Sequence, residues 1–140
     1  VRRGTGGLGV NLLLDTHILL WATLQPALLP GAWQTTLLDS RNRLLLSAAT
    51  AWELSIKHRS GRLPEAAPLL LDFHAVAARL GAEVIDISPA HAVRAGALDW
   101  DHRDPFDRML VAQAIEHGLT LMTVDASITA YAHAPVLPPP

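Results

Sequence analysis

Acidic residues stand directly after two apolar runs of this chain, where carboxylates are placed to hold a cation. Asp15 ends the run 10–14, and Asp125 ends the run 120–124. A buried carboxylate is costly unless something cationic compensates it, so acids beside buried segments indicate a site that binds positive charge. Three further acids lie in or beside helix-like segments, which gives the candidate set Asp15, Glu53, Asp104, Asp107 and Asp125.

The elements that must position these acids alternate between apolar strand-like runs and helix-like stretches. Such alternation is typical of crossover units, in which helices cover a parallel sheet. Gly81 and Gly118 follow helix-like stretches, and Asp104 with Pro105 opens another as a capping residue and a first-turn proline. Strands are predicted at 10–15, 44–47, 83–87 and 120–124, and helices at 17–23, 31–40, 48–60, 66–81, 89–97 and 105–117.

A parallel sheet brings the acids at its strand ends together. The carboxyl ends of the strands meet at one edge, so Asp15 and Asp125 are expected to meet there. Three or four carboxylates held together repel one another, and Mg²⁺ relieves this because it takes oxygen ligands while retaining water. Two such ions roughly 3.5–4 Å apart are the usual arrangement for cleaving phosphodiesters. Asp86 also follows a strand-like run, and it is left out of the predicted site.

Each acid also has a purely structural explanation. Asp15 and Asp104 stand where helix N-caps are expected, and Asp125 stands where it can cap one further turn. Asp107 falls in the first turn of a helix, whose positive start favours an acid. Taken singly, these explanations account for the acids, and only their convergence favours a shared site. Ordinary i,i+4 ion pairs are predicted for Glu53 with Lys57, Arg103 with Asp107, and Asp104 with Arg108.

The composition restricts the possible functions. Charged residues are 17% of the chain against a typical share of about 25%, so apolar surface is expected that a partner covers. The net charge of -2 gives no general basic field, so nucleic acid must be bound by a local patch. The chain has no cysteine, which leaves oxygen and imidazole as metal ligands. No apolar run approaches the roughly 18–20 residues of a membrane span, so a soluble protein is expected.

The histidines offer a second chemistry. None of the seven falls into the His-x-His or His-Glu-x-x-His spacing of common metal sites. A ribonuclease that uses two histidines as acid and base remains open, with His17 and His102 nearest to the acidic edge. Activity that persists in excess chelator would favour it. Use of Asp15 as a phosphatase-like nucleophile ranks last, because His17 stands where the second aspartate of that motif is needed.

Three motifs together resemble those of the PIN-domain nucleases, and most of all the toxin subunits of VapBC-type modules. They are LLLDTH at 12–17, WELSIK at 52–57 and HRDPFDR at 102–108. Their order and spacing are more specific than any single motif, and the similarity runs from about residue 11 to about residue 131. Composition predicts a flexible glycine-rich leader at 1–9 and a proline-rich tail at 135–140, neither of which favours regular structure. The resemblance implies that the folded part between them, 10–134, is a PIN-like nuclease domain.

The resemblance also implies a fold and an activity. The fold is a three-layer α/β/α sandwich with a central, mostly parallel sheet, and the activity is endonucleolytic hydrolysis of RNA by water that Mg²⁺ or Mn²⁺ activates. Asp104 belongs to the same motif as a direct or an outer ligand, while Thr16 and Thr123 flank the acids. By position, the four acids that hold the metal and carry catalysis are Asp15, Glu53, Asp107 and Asp125.

Partners follow from the same resemblance. A toxin of this type acts in the cytoplasm, forms a homodimer and is silenced by a small antitoxin protein whose tail fills the acidic groove. An arginine of that tail would pair with the carboxylates and displace metal, since a guanidinium binds a carboxylate through two hydrogen bonds. The alternative is a PIN-like module that binds protein or RNA and cuts nothing, which titration with Mn²⁺ would distinguish.

Overall fold

The computed structural model of the protein describes residues 9–140, so residues 1–8 of the predicted leader lie outside it. The strands in this part are Asn11–Leu14 (β1), Arg43–Ser47 (β2), Ala82–Ile85 (β3) and Thr120–Met122 (β4). The α-helices there are Thr16–Leu24 (α1), Gly31–Leu38 (α2), Ala48–Arg59 (α3), Ala67–Leu71 (α4), Phe73–Leu80 (α5), Pro89–Ala97 (α6), Pro105–His117 (α7) and Ala126–Thr129 (α8). Among the helices of residues 9–140, none has the length and apolarity that crossing a membrane requires.

The four strands form one parallel sheet in the order β3-β2-β1-β4. Leu12 of β1 aligns with Leu44 of β2 on one side and with Thr120 of β4 on the other. The leucines Leu12, Leu13 and Leu14 are wholly buried, as a strand covered on both faces requires. The chain moves outward from β1 through β2 to β3 and then crosses to β4, so the order of the strands reverses between β1 and β4.

Side chains alternate between two cores, one on each face of the sheet. Leu12 and Leu14 point into a core with Leu54 of α3 and Val76 of α5. Leu13 points into the other core, which α7 and α8 complete with residues that include Leu110, Val111 and Ile128. The predicted α/β/α sandwich is therefore confirmed, and its sheet is wholly parallel.

Helix boundaries agree closely with those predicted from capping residues. Gly81 and Gly118 have left-handed backbones with φ of 69° and 62°, and they end α5 and α7. Asp104 caps α7 by accepting from the backbone N–H groups of Phe106 and Asp107. These local signals act within a few residues, which is why the sequence alone located them.

The prediction of one continuous helix over 66–81 is wrong. The chain forms a 3₁₀ turn at Pro64–Ala66, then α4, and begins α5 only after Asp72. Asp72 has an extended backbone (φ -157°, ψ 93°), and its side chain accepts from the N–H of Ala75 at 3.0 Å. An aspartate inside an apolar periodic segment thus acts as an N-cap and divides the helix.

The chain continues to pair with the sheet beyond residue 134. The N–H of Leu121 in β4 donates to the carbonyl of Pro135 at 2.8 Å, and Leu137 donates back to Leu121 at 2.9 Å. Val136 thereby forms a parallel bridge with Leu121. Three residues of the proline-rich segment 135–140 therefore cover the outer edge of β4.

Candidate active site

Asp15 lies where the order of the strands reverses, the position at which open α/β sheets form a crevice. Its backbone N–H donates to the carbonyl of Met122 at 3.0 Å and so extends the pairing of β1 with β4. One carboxylate oxygen accepts from the N–H of Thr16 at 2.6 Å and caps α1, and the other accepts from the hydroxyl of Thr123. Asp15 is 5% exposed, so the burial of its charge must be compensated locally.

Thr123 connects the ends of two neighbouring strands. Its hydroxyl donates to Asp15 and accepts from the backbone N–H of Asp125 at 3.0 Å. Asp125 in turn caps α8, because its Oδ1 accepts from the N–H groups of Ser127 and Ile128. Asp15 and Asp125 therefore lie at the same edge of the sheet, linked by a single hydroxyl.

Glu53 reaches this edge from α3, the helix that follows β2. It is 4% exposed, and its Oε1 accepts from the hydroxyl of Thr16 at 2.6 Å. Its Oε2 pairs with Nζ of Lys57 at 2.5 Å, the i,i+4 ion pair that the sequence predicts. Because Thr16 also donates its N–H to Asp15, one threonine joins the acid that follows β1 to the acid of α3.

Asp104 and Asp107 come to the cluster from the start of α7. Asp104 is the N-cap, and Asp107 is the third residue of the helix, with 7% exposure. Nε2 of His102 is hydrogen-bonded to Oδ2 of Asp107 at 2.7 Å. His102, Asp104 and Asp107 each offer one ligand atom, and these three atoms lie within 4.8 Å of one another.

The hydrogen bonds through Thr16 and Thr123 and the grouping of Asp104 with Asp107 place the acids in one region, where their charges act on one another. Burial raises the pKa of Asp107 to about 7, and the charges of Asp104, Asp125 and Asp15 add to this rise, while the bond from His102 opposes it. Burial also raises the pKa of Asp15, and the charge of Glu53 adds to it against the bonds from Thr123 and Thr16. The structure thus brings all five predicted acids together: Asp15, Glu53, Asp104, Asp107 and Asp125.

The comparison with known proteins identifies the family. The family model of the PIN domain matches residues 12–134. The chain belongs to the PIN-domain family. Its similarity to Ribonuclease VapC22 of Mycobacterium tuberculosis is 30% identity over 124 residues, which span 88% of this PIN domain chain and 93% of that protein. The predicted resemblance to VapC-type PIN proteins is therefore confirmed.

A solved structure confirms the fold of this PIN domain. The crystal structure of VapBC2 from Rickettsia felis, bound to a DNA fragment from their promoter, matches with a TM-score of 0.67. The match covers 91% of this chain and 98% of the other chain at 20% identity. At that identity the likeness shows that the two chains share a fold.

Two predicted ion pairs at the start of α7 are wrong for this PIN domain, although His102 does lie at the acidic edge as expected. Among residues 9–140, Arg103 does not pair with Asp107, and Asp104 does not pair with Arg108. Asp107 is hydrogen-bonded to His102 instead. Arg108 donates to backbone carbonyls of the preceding loop. The sequence does indicate this contact, because His102 stands two residues before the N-cap Asp104, and a side chain at that position can reach the first turn of the helix. His17, the other histidine considered, is exposed and packs near Trp21.

Proposed function

We propose that this PIN domain is a metal-dependent endoribonuclease and the toxin of a type II toxin–antitoxin pair. The observation that carries the proposal is the convergence of five acids on one sheet edge, three of them buried. Buried carboxylates with raised pKa values cluster at functional sites, which favours an active site over a module that only binds a partner. The similarity to a protein named as a ribonuclease supports RNA as the substrate.

The donor atoms fit Mg²⁺ or Mn²⁺. Both ions prefer oxygen ligands, and the cluster offers carboxylate oxygens with one imidazole beside them. Oδ1 of Asp104 is committed to the amides that begin α7, and Oδ1 of Asp125 to those that begin α8. The second oxygen of each remains for an ion. The residues proposed to hold it are Asp15, Glu53, Asp107 and Asp125, with Asp104 as a further ligand.

A bound divalent ion would activate water and neutralise charge on the phosphodiester. The chain itself orients the carboxylates, because Thr16 and Thr123 each fix one oxygen of an acid. Lys57 balances the charge of Glu53 when no ion is bound. Lys57 is partly exposed, so its ammonium group also lies where it can meet a phosphate of the RNA backbone.

An antitoxin protein is the proposed partner. The structure that shares this fold is named as a VapBC2 complex, which supports a partner of the VapB type. The acidic cluster would attract a basic tail, because an arginine forms strong hydrogen bonds with carboxylates. Competition between an antitoxin arginine and the metal predicts weaker Mn²⁺ binding in the complex. Unchanged affinity would contradict this mode of inhibition. The cytoplasm is the compartment that RNA and such a partner imply.

A homodimer is the second proposed assembly. A mostly apolar groove lies between α3, α6 and the start of α7. Its lining includes Ala49, Trp52, Ile87, Ala92, Phe106 and Met109, together with Arg103 and Arg108. Trp52 is 55% exposed there and packs against Phe106 in an edge-to-face contact at 4.9 Å. An exposed apolar surface of this kind favours burial against another chain.

The decisive experiment compares variants of acids inside and outside the cluster. Asp15→Asn and Asp107→Asn keep the size of the side chain, so both should fold, yet lose cleavage of a random single-stranded RNA pool in Mg²⁺ and lose growth inhibition. The loss should exceed about 100-fold, more than changes to residues behind metal ligands usually cost. Asp86→Asn is the matched control, because Asp86 follows β3 outside the cluster and should behave as wild type.

Three outcomes would change the assignment. Full cleavage by both cluster variants would exclude it. Cleavage that persists in excess EDTA would favour the two-histidine chemistry. Calorimetric titration of the wild type with Mn²⁺ that gives no heat, together with no cleavage, would favour the non-catalytic module.

A further inference from the structure

The connection between α6 and α7 is an irregular loop, residues 98–104, and it carries His102. Helix or strand hydrogen bonds are not available to most of its backbone carbonyls, but one side chain from α7 donates hydrogen bonds to several of them. The guanidinium of Arg108 donates to five carbonyls at the end of α6 and along the loop: Ala95 at 2.9 Å, Gly96 at 3.3 Å, Leu98 at 2.8 Å, Trp100 at 2.7 Å and His102 at 3.0 Å.

This arrangement uses every hydrogen that the side chain can donate. A guanidinium carries five N–H groups in a fixed plane, and Arg108 directs one from Nε and two from each terminal nitrogen to these oxygens. The positive charge also lies near the last carbonyls of α6, where the helix dipole is negative. A lysine offers three donors from a single nitrogen and cannot reach the same set.

The loop that Arg108 holds is the one that places His102 against Asp107. The carbonyl of His102 is bonded to Arg108, and its ring is bonded to Asp107. The ring of Trp100, whose carbonyl Arg108 also holds, packs against the His102 ring at 4.9 Å. Trp100 itself stacks on Tyr131 at 4.5 Å with nearly parallel planes. His102 is therefore fixed through both its backbone and its ring.

We propose that Arg108 is a positioning residue of the candidate metal centre, which acts on Asp107 through His102. The inference rests on the proposed function. Among the described residues, the guanidinium of Arg108 donates to these five carbonyls and to none of the five acids. By fixing the loop it sets the position of the His102 ring, and the ring bond holds Oδ2 of Asp107 so that Oδ1 is left for an ion.

The test is a double-mutant cycle between Arg108 and His102, read out as Mn²⁺ affinity. Arg108→Lys should weaken Mn²⁺ binding by about tenfold in the wild-type background, in line with residues that orient metal ligands. In a His102→Ala background the same substitution should have no further effect. Arg94→Lys is the matched control, because Arg94 forms an exposed ion pair with Glu116 across the same two helices and should leave the affinity unchanged.

A readout without metal separates positioning from general stability. The imidazole ¹⁵N resonances of His102 in EDTA, recorded well below the thermal midpoint of each protein, should shift in Arg108→Lys and stay at their wild-type positions in Arg94→Lys. If Arg108→Lys does not fold, Arg108→Gln, which keeps a planar donor group, takes its place. Unchanged resonances and unchanged Mn²⁺ affinity would overturn the proposal, as would an effect of equal size in the His102→Ala background.

Failure of the proposed function would look different. A wild-type protein that binds no Mn²⁺ and cuts no RNA would exclude the metal-dependent nuclease. The His102 resonances of the metal-free Arg108→Lys protein would then still decide whether Arg108 positions this ring.

Discussion

Asp107 is subject to all the electrostatic effects of the site: burial, a histidine partner and neighbouring acids. Its carboxyl is buried on the first turn of α7, faces three other acids and has His102 as its partner. The positive start of the helix favours its charge, yet burial outweighs that effect and the pKa rises to about 7. A carboxyl with such a pKa ionises most readily when a cation arrives.

This pKa predicts how the metal-free protein responds to pH. The unfolded chain loses the Asp107 proton near pH 4 and the folded chain near pH 7, so the folded state holds the extra proton between these values. The free energy of unfolding should therefore fall as pH rises from 4 to 7, by up to about 1.4 kcal/mol per pH unit from this residue, and level off above. Urea unfolding in EDTA measures it.

The matched variants are Asp107→Asn and Asp86→Asn. The first should flatten the slope, leaving a smaller one of the same sign, because the pKa of Asp15 is raised too. The second should keep the wild-type slope. Identical slopes in all three proteins would refute the assignment of this ionisation to Asp107.

Among the elements, α7 contributes most to the site. Asp104 and Pro105 begin it, so that Asp107 falls on its first turn beside the sheet edge, and Arg108 fixes the loop that precedes it. Gly118 ends it with a left-handed backbone whose N–H donates to the carbonyl of Ala114. The chain then turns directly into β4, which leads to Thr123 and Asp125.

Two glycines test how this helix ends. Gly118→Ala should destabilise the protein by about 1 kcal/mol, because a Cβ is unfavourable at φ of 62°. Gly96→Ala is the control within α6, where a Cβ meets no atom within 4 Å and the backbone is helical. It should be neutral or stabilising by up to about 1 kcal/mol. Chemical denaturation measures both, and equal effects would show that the left-handed turn has no special role.

At the scale of the whole molecule, the acidic edge and the apolar groove are neighbours. Trp52 and Phe106 of the groove precede Glu53 and Asp107 of the site by one residue each. Successive residues on a helix point about 100° apart, so α3 and α7 direct their acids to the sheet edge and their aromatic rings outward. A second chain on the groove would therefore lie close to the site.

The proposed homodimer gives a prediction at this scale. Light scattering after size-exclusion chromatography should give twice the mass of one chain for the wild type, and one chain mass for Trp52→Glu, which places a charge in the groove. Leu71→Glu is the control, because Leu71 is 89% exposed on α4 outside the groove, and this variant should stay dimeric. A dimeric Trp52→Glu protein would exclude the groove as the interface.

The sequence by itself determined the succession of strands and most helices along the chain, most of their ends, and which acids come together. Capping residues such as Asp104 and Gly118, and the apolar run before Asp15, act on the backbone within a few residues. The element boundaries that these residues set can therefore be predicted from the sequence. The same local rules failed for the helix over 66–81, because Asp72 has both a helical and a capping role available, and packing selects between them.

Only the tertiary structure decided how the acids are held. The hydroxyl of Thr123 reaches Asp15 across 108 residues, and that of Thr16 reaches Glu53 across 37. Arg108 was free by sequence to pair with Asp104, yet it serves five carbonyls of a loop whose path the packing of α6 on α7 defines. The pair of Glu53 with Lys57 could be predicted from its i,i+4 spacing. Donors from distant parts of the chain could not, because they meet a carboxylate only when the two cores bring their elements together.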